Sequence, residues 1–335
     1  MNRDIVVIGA SAGGVDALLR AIEGLPSDLP AAVFLVLHIP PHSPSTLPTI
    51  LSKGGPLKAL HARDGEPIRP GQIYVAPPDN HLLLESGHVV VRRGPKENRF
   101  RPSIDALFRS AAYVYGPRTI GVVLSGVLDD GTSGLWSIKR LGGLTLVQKP
   151  EDAQHPEMPR SALEHVEVDH VCPAGEMGPL ITSLVGTSAP EVPQDIQEER
   201  RRMGRETEIA AREGAFDKGI MEWGNLAPFT CPECHGVLVR LKEGPLLRFR
   251  CHTGHAFTPS TLLAGIDEAV EETLWQAMRG VEEQTMMLEH IASHLQHSGR
   301  PDRAEFFLEK ARRSRRQGQI IHDSLPEHAQ SSEDT

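Results

Sequence analysis

Aromatic side chains are scarce in this sequence: 9 Phe, 3 Tyr and 3 Trp make up 4% of 335 residues. A core built from it must rest mainly on Val, Leu, Ile and Ala. Cysteine is scarcer, with only Cys172, Cys231, Cys234 and Cys251. Three of these four crowd into one C-terminal segment, which reads as a metal site and not as a disulfide framework. Positive charge is in deficit, the net charge being -9, which argues against a protein that grips nucleic acid or an anionic membrane. No run approaches the roughly 20 apolar residues that span a bilayer. The opening stretch Ile5-Val6-Val7-Ile8 is too short for a signal-peptide core and ends in glycine. These absences read as a cytoplasmic chain with no nucleic-acid partner and no membrane insertion.

What is present is a 39% hydrophobic chain long enough for two units. Short β-branched runs at 5–8, 32–37, 73–76, 120–124 and 144–147 alternate with amphipathic stretches at 14–23, 45–51, 103–113 and 132–140. Alternation of this kind predicts an α/β fold, a doubly wound and mainly parallel sheet. Residues 81–93 differ, since two apolar runs flank Ser86-Gly87 and predict an inserted antiparallel hairpin.

The expected domains are a catalytic domain over 1–185, a linker and charged helix over 186–228 and a ribbon-like module over 229–260. A helical hairpin over 261–323 and a disordered tail over 324–335 complete them. The helix at 198–212 carries both charge signs and is read as solvated. In 261–297, Leu274, Val281, Leu288 and Leu295 recur every seven residues, with Val270, Ala277 and Ile291 in companion positions and polar Gln284 as the exception. With a second helix at 302–321, the pattern fits an antiparallel hairpin or a dimerising coiled coil.

The turn Gly9-Ala10-Ser11-Ala12-Gly13-Gly14 admits three readings. A phosphate cradle is weakened because Ser11 stands where the dinucleotide fingerprint needs its second glycine, and no Lys-Ser/Thr pair follows. A plain connection from strand to helix accounts for glycines equally well. The third reading is a serine nucleophile in a G-x-S-x-G turn, with helix-start amides ready for a developing oxyanion. His38 follows the second strand at once, and Asp129-Asp130-Gly131 follows the strand at 120–124. Serine, histidine and acid thus each follow the carboxyl end of a predicted parallel strand, and those ends share one rim. A histidine after a strand and an Asp-Gly turn are also ordinary structural features.

Several colinear segments resemble one family. They are Ile8-Gly9-Ala10-Ser11-Ala12-Gly13-Gly14, Val36-Leu37-His38-Ile39-Pro40, the stretch from Pro70-Gly71-Gln72 to Asn80-His81-Leu82, Arg101-Pro102-Ser103-Ile104-Asp105, and the acid loop 125–134. Over the first ~180 residues the chain resembles the catalytic domain of CheB-type chemotaxis protein-glutamate methylesterases. The resemblance implies that Ser11 attacks a glutamyl methyl ester, His38 carries the proton and Asp130 orients the imidazole. It implies oxyanion donors at the amides of Ala12 and near Val127, and sets Arg101 and Asp105 at the rim, where a helix-start turn is the plainer account. Glutamine deamidation could pass through the same acyl-enzyme. The implied partner is a methylated chemoreceptor or a related signalling protein.

Two departures stand out. The family's acid loop usually carries Thr-Gly-Met-Gly, whereas this chain has Ser125-Gly126-Val127-Leu128, and Asp129 rivals Asp130 as the acid. Family enzymes also place a receiver domain ahead of the esterase, while Ser11 lies near the first residue here. Control is therefore expected to be absent, to come from a receiver on another chain, or to reside in the C-terminal region.

Cys231-Pro232-Glu233-Cys234 and Cys251-His252-Thr253-Gly254-His255 are separated by 16 residues. A knuckle plus a second pair supplies the four N/S ligands of tetrahedral Zn²⁺. Cys231, Cys234, Cys251 and His255 are the expected ligands of a structural zinc, His252 being too close to Cys251. Catalysis on the serine needs no cofactor. Between the two ligand pairs, 236–242 and 246–250 read as a β-hairpin turning at Glu243-Gly244-Pro245. Its Arg248 and Arg250 would suit nucleic acid as a minor alternative, and Cys172 reads as a buried small hydrophobe. Competing with the esterase are a non-catalytic signalling scaffold on the same fold and a small-molecule carboxylesterase. Partner capture without hydrolysis marks the first, and turnover of aryl esters alone marks the second.

Overall fold

β1 (Ile5–Ala10) lies between two parallel neighbours, β2 (Ala32–Leu37) and β7 (Thr119–Val123). A strand covered on both faces needs apolar residues at every position, and all the residues of these three strands are buried. With β3 (Lys58–His61), β4 (Gln72–Val75), β8 (Leu144–Gln148) and β9 (His170–Cys172) they form a seven-stranded sheet in the order β3-β4-β2-β1-β7-β8-β9. Every neighbouring pair is parallel. The α/β, mainly parallel sheet expected from the sequence is therefore present. The chain leaves β1 towards β2 on one side and returns at β7 on the other, so the strand order reverses at β1.

This computed structural model describes residues 1–42, 45–192, 196–212 and 215–324. They fall into two compact units, Met1–Leu262 and Leu263–Thr335. Positions 193–195 and 213–214 of the expected linker and charged helix, and the expected tail beyond Ser324, lie outside the described residues.

In the first unit, α1 (Gly14–Glu23), α2 (Leu47–Gly54) and α6 (Ala174–Leu184) cover one face of the sheet, packing Leu18, Ile22, Leu51 and Met177 on Val6 and Ile8. On the other face, α3 (Ile104–Tyr115), α4 (Thr132–Arg140) and α5 (Glu157–His165) join the hairpin β5 (His81–Glu85) and β6 (His88–Arg92). Ile104, Leu107, Leu135 and Leu82 there meet Val7 and Phe34. β3, β9, α5 and α6 have no counterpart in the sequence reading. The two strands are short edges, and α6 carries Pro179 within it, which speaks against a helix locally.

α7 (Gln197–Arg212) is not the solvated helix that its charge suggested, because Met203, Glu206, Ile209 and Ala210 are buried. β10 (Asn225–Thr230), β11 (Val237–Glu243), β12 (Leu246–Cys251) and β13 (Ala256–Phe257) follow as an antiparallel sheet in chain order. Arg248 and Arg250 on β12 are 1% and 0% exposed, so they offer no surface to a nucleic acid. They pair instead with Glu97, Glu206 and Glu243. Cys172 is half-buried at a sheet edge against Met177, and is not enclosed.

α8 (Pro259–His297) and α9 (Pro301–Asp323) supply the second unit. There α9 turns back along α8 after only three connecting residues, 298–300, so the helices run antiparallel. Ser314 on α9 donates to the Gln284 side chain at 2.9 Å, and Arg315 pairs with Glu289. The polar break in the heptad pattern is thus a hydrogen-bonded position. Val270, from the same repeat, is 53% exposed.

Candidate active site

Ser11 occupies the turn between β1 and α1. Gly13 caps that helix at φ 68, a left-handed conformation that favours glycine. The Ser11 amide donates to the Ser125 carbonyl at 2.9 Å, tying the turn to the segment after β7. A Cβ at Gly126 would lie 2.8 Å from Ser11 Cβ, so the acid loop can approach the serine only with glycine there. The His38 amide donates to Ala10 at 3.2 Å and extends the β1–β2 ladder by one step. That pairing sets the imidazole beside the serine.

His38 Nδ1 lies 3.1 Å from Ser11 Oγ, and Nε2 lies 2.8 Å from Asp130 Oδ2. The side chains of His38 and Asp130 are 4% and 1% exposed. An ionised carboxylate only accepts, so Nε2 carries the hydrogen and Nδ1 offers its lone pair to the serine hydroxyl. Asp130 Oδ2 also accepts from the Ile104 amide, while Oδ1 accepts from Asn98 Nδ2 at 2.8 Å, Ser103 Oγ and the Asp105 amide. Burial pushes this carboxyl up, but the hydrogen bonds from His38, Asn98 and Ile104 outweigh it and hold the group below its ordinary value. Asp130 therefore stays charged.

The carboxylate at the imidazole is that of Asp130, while Asp129, the rival acid, accepts from Thr258 Oγ1 at 2.8 Å. Its carboxyl is raised, mainly by burial. Asp105 is no rim residue. It is fully buried, accepts from the Gly131 and Gly134 amides at 3.0 and 2.6 Å, and is pushed up to about 8 by burial and by the neighbouring Asp130 charge.

An open cleft of ≈ 550 Å³ leads to Ser11 and His38, with Gly13, Leu37, Ile39 and Gln154 among its lining. The sequence-predicted oxyanion donor Ala12 lies next to the serine. Val127 is half-buried in the acid loop. Arg101 does not line this cleft, since its guanidinium is committed to Asp79 at 2.6 and 2.9 Å and to the Gly94 carbonyl. Leu128, where the family usually has glycine, sits at φ 62.

Sequence reasoning missed Asn98, Ser103 and Phe100. The first two hold Asp130, and the Phe100 ring stacks on His38. Asn98 and Arg99 have φ of 52 and 73, and an Asn in such a turn is the only local signal available.

Away from the serine, Cys231, Cys234, Cys251 and His255 place their ligand atoms within 4.8 Å of one another, a group that could hold a metal ion. Cys234 Sγ to Cys251 Sγ is 3.7 Å, and Cys251 Sγ to His255 Nδ1 is 3.5 Å. A tetrahedron with metal–sulfur bonds near 2.3 Å and metal–nitrogen bonds near 2.0 Å has edges of about 3.8 and 3.5 Å. The donor set therefore fits. His252 is exposed and outside the group.

The family model described as CheB methylesterase matches residues 6–181. A protein of Anaeromyxobacter dehalogenans named protein-glutamate methylesterase/protein-glutamine glutaminase 2 is 41% identical over 174 residues, covering 52% of this chain and 51% of that one. A Leptospira interrogans protein with the same two activities in its name is 40% identical over 185 residues, which is 55% of this chain and 96% of its own length. The crystal structure of the Thermotoga maritima CheB methylesterase catalytic domain superposes with a TM-score of 0.53 at 35% identity, covering 55% of this chain and all of that one. By sequence over residues 6–181 and by fold, the chain belongs to the CheB methylesterase family.

Proposed function

We propose that the chain hydrolyses methyl esters of glutamyl side chains in a signalling protein, with Ser11, His38 and Asp130 as its catalytic triad. One observation carries the reading: His38 lies within hydrogen-bond reach of Ser11 on one ring nitrogen and of a charged, buried Asp130 on the other. Ser11 Oγ attacks the ester carbonyl as its proton passes to His38 Nδ1. The imidazolium that forms is stabilised by Asp130, which keeps Nε2–H in place throughout. The amides of Ala12 and Val127 are the candidates to receive the developing oxyanion. His38 then protonates the leaving methoxide, methanol departs, and water activated by the same nitrogen releases the glutamate.

The names of the relatives support both the ester reaction and glutamine deamidation. Ammonia would leave from the same acyl-enzyme in the second case. Methylated chemoreceptors are the substrates that this reading implies, with a receiver domain on a separate chain as regulator. Among the described residues no helix is long and apolar enough to cross a membrane.

Cys231, Cys234, Cys251 and His255 are assigned a structural Zn²⁺. Thiolate and imidazole donors suit zinc, and four protein ligands leave no coordination position open for substrate. The ion would supply cross-linking of the ribbon, with all chemistry on the serine. Methanol release from a methylated receptor fragment tests the central reading. The wild-type chain is expected to release it and Ser11→Ala to release none, and turnover by Ser11→Ala would overturn the assignment.

A further inference from the structure

The four-residue turn Glu97-Asn98-Arg99-Phe100 is gripped from two sides. Facing the catalytic groups, Asn98 Nδ2 donates to Asp130 Oδ1 at 2.8 Å and to Asp105 Oδ2 at 2.7 Å. Phe100 lies on the His38 ring. The opposite grip on Asn98 comes from the Cys3His ribbon and the residues just after it, while Glu97 is held by Arg109 of α3 as well as by the ribbon. The Ala256 carbonyl accepts from the Asn98 amide at 2.7 Å, and the Ala256 amide donates back to Lys96 at 3.2 Å. Asn98 Oδ1 accepts from the Thr258 amide at 3.2 Å, with Thr261 Oγ1 at 3.4 Å.

The ligand-bearing loops carry further contacts to the same segment. Lys96 Nζ pairs with Glu233, which sits between Cys231 and Cys234. Arg250 NH1 donates to Gly254, between Cys251 and His255, while its NH2 donates to Glu97 at 2.8 Å. Ala256 follows the ligand His255 directly. An Asn amide fixed on one side by a strand and two threonines has no freedom to turn away from Asp130 on the other.

We infer that Asn98 is a positioning residue for the catalytic acid, and that the metal-tied ribbon keeps it in place, so that an ordered ribbon is required for full turnover. This inference rests on the triad and the zinc site proposed above. Its content beyond them is the link: a ribbon far from the reacting atoms in sequence, and foreign to the esterase domain, sets the orientation of Asp130 and through it of His38. Substitution of Asn98 and loss of the ion act by the same route, loosening the Asp130–His38 hydrogen bond without touching the cleft that receives substrate.

The test uses the full chain and reads two quantities, kcat and KM on a methylated receptor fragment and the low-field proton resonance of His38 Nε2–H. Asn98→Gly keeps the left-handed backbone and removes only the amide side chain. It is expected to lower kcat about tenfold or more with KM nearly unchanged, and to shift the resonance upfield. Stripping the wild-type chain with a chelator, with released Zn²⁺ counted by a colorimetric dye, is expected to do the same, and adding Zn²⁺ alone to restore both readings. An Asn98→Gly chain with a wild-type resonance and kcat would overturn the positioning role. Complete zinc release with no change in either reading would overturn the link while leaving the metal site intact. A purified chain that neither contains nor takes up Zn²⁺ overturns the metal assignment and the metal dependence together, with the Asn98 role still decided by the resonance.

Discussion

Phe100 lies flat against His38, the ring centroids 3.7 Å apart and the planes 9° from parallel. A ring held face to face in this way blocks rotation of the imidazole and keeps water off one of its faces. Phe100→Ala is expected to lower kcat by roughly tenfold with little change in KM, because the loss falls on orientation and not on substrate contact. Phe100→Tyr, which preserves the stacked face, is expected to stay close to wild type in the same steady-state assay.

The two adjacent acids separate cleanly. Asp130→Asn presents an amide that can no longer hold His38 in the tautomer whose Nδ1 faces Ser11. Its kcat is expected to fall by about three to four orders of magnitude. Asp129→Asn removes a charge that meets Thr258 and not the imidazole, and a far smaller loss is expected. Single-turnover release of methanol measures both.

Asp105 carries a pH dependence of stability. In the folded chain it keeps its proton to about 8, whereas an unfolded Asp releases it near 4. Between these values the folded state binds more protons, so this group's contribution to stability declines as pH rises. Asp105→Asn is uncharged throughout. Relative to wild type, its unfolding free energy is expected to rise by up to about 1.4 kcal/mol per pH unit between 4 and 8 and to level off outside that window. Urea denaturation across this range is the measurement.

Glu97 shows the opposite sign. Burial pushes its carboxyl up, but Arg109, Arg250 and Arg248 outweigh burial and hold it far below the usual range. A depressed folded value stabilises the chain above about pH 4, and that stabilisation is lost as pH falls further. Glu97→Gln leaves buried guanidinium groups short of a counter-charge, and about 3–5 kcal/mol of stability is expected to go at neutral pH. The gap between variant and wild type is expected to narrow on acidification, again read by denaturation.

Leu128 holds φ 62 in the acid loop, a conformation costly for a side-chain-bearing residue. Leu128→Gly is expected to stabilise the chain by about 1 kcal/mol, seen as a higher thermal midpoint. A lower midpoint would mean that the half-buried Leu128 side chain contributes more by packing than its backbone costs.

The sequence by itself determined the parallel sheet, because strands hidden on both faces must be apolar throughout and the helices between them must show one apolar stripe. Because the carboxyl ends of parallel strands share one edge, it also set Ser11, His38 and an Asp from the loop after β7 as candidates to meet, and the contacts of His38 with Ser11 and Asp130 came only with the fold. The short spacing from Cys231 to Cys234 and from Cys251 to His255 made the Cys3His group, which could hold a metal ion, legible in the same way, for such spacing is a local property. Only the tertiary structure decided between Asp129 and Asp130, because neighbours in the chain point to different partners, Thr258 and His38, according to how α3 and the ribbon pack around them. It alone turned Glu206, Arg248 and Arg250 inward, where opposite charges from three distant segments neutralise one another. The role of Asn98 was equally invisible in the chain, because it consists of contacts to Asp130 and to Thr258 that are 32 and 160 residues away along the backbone.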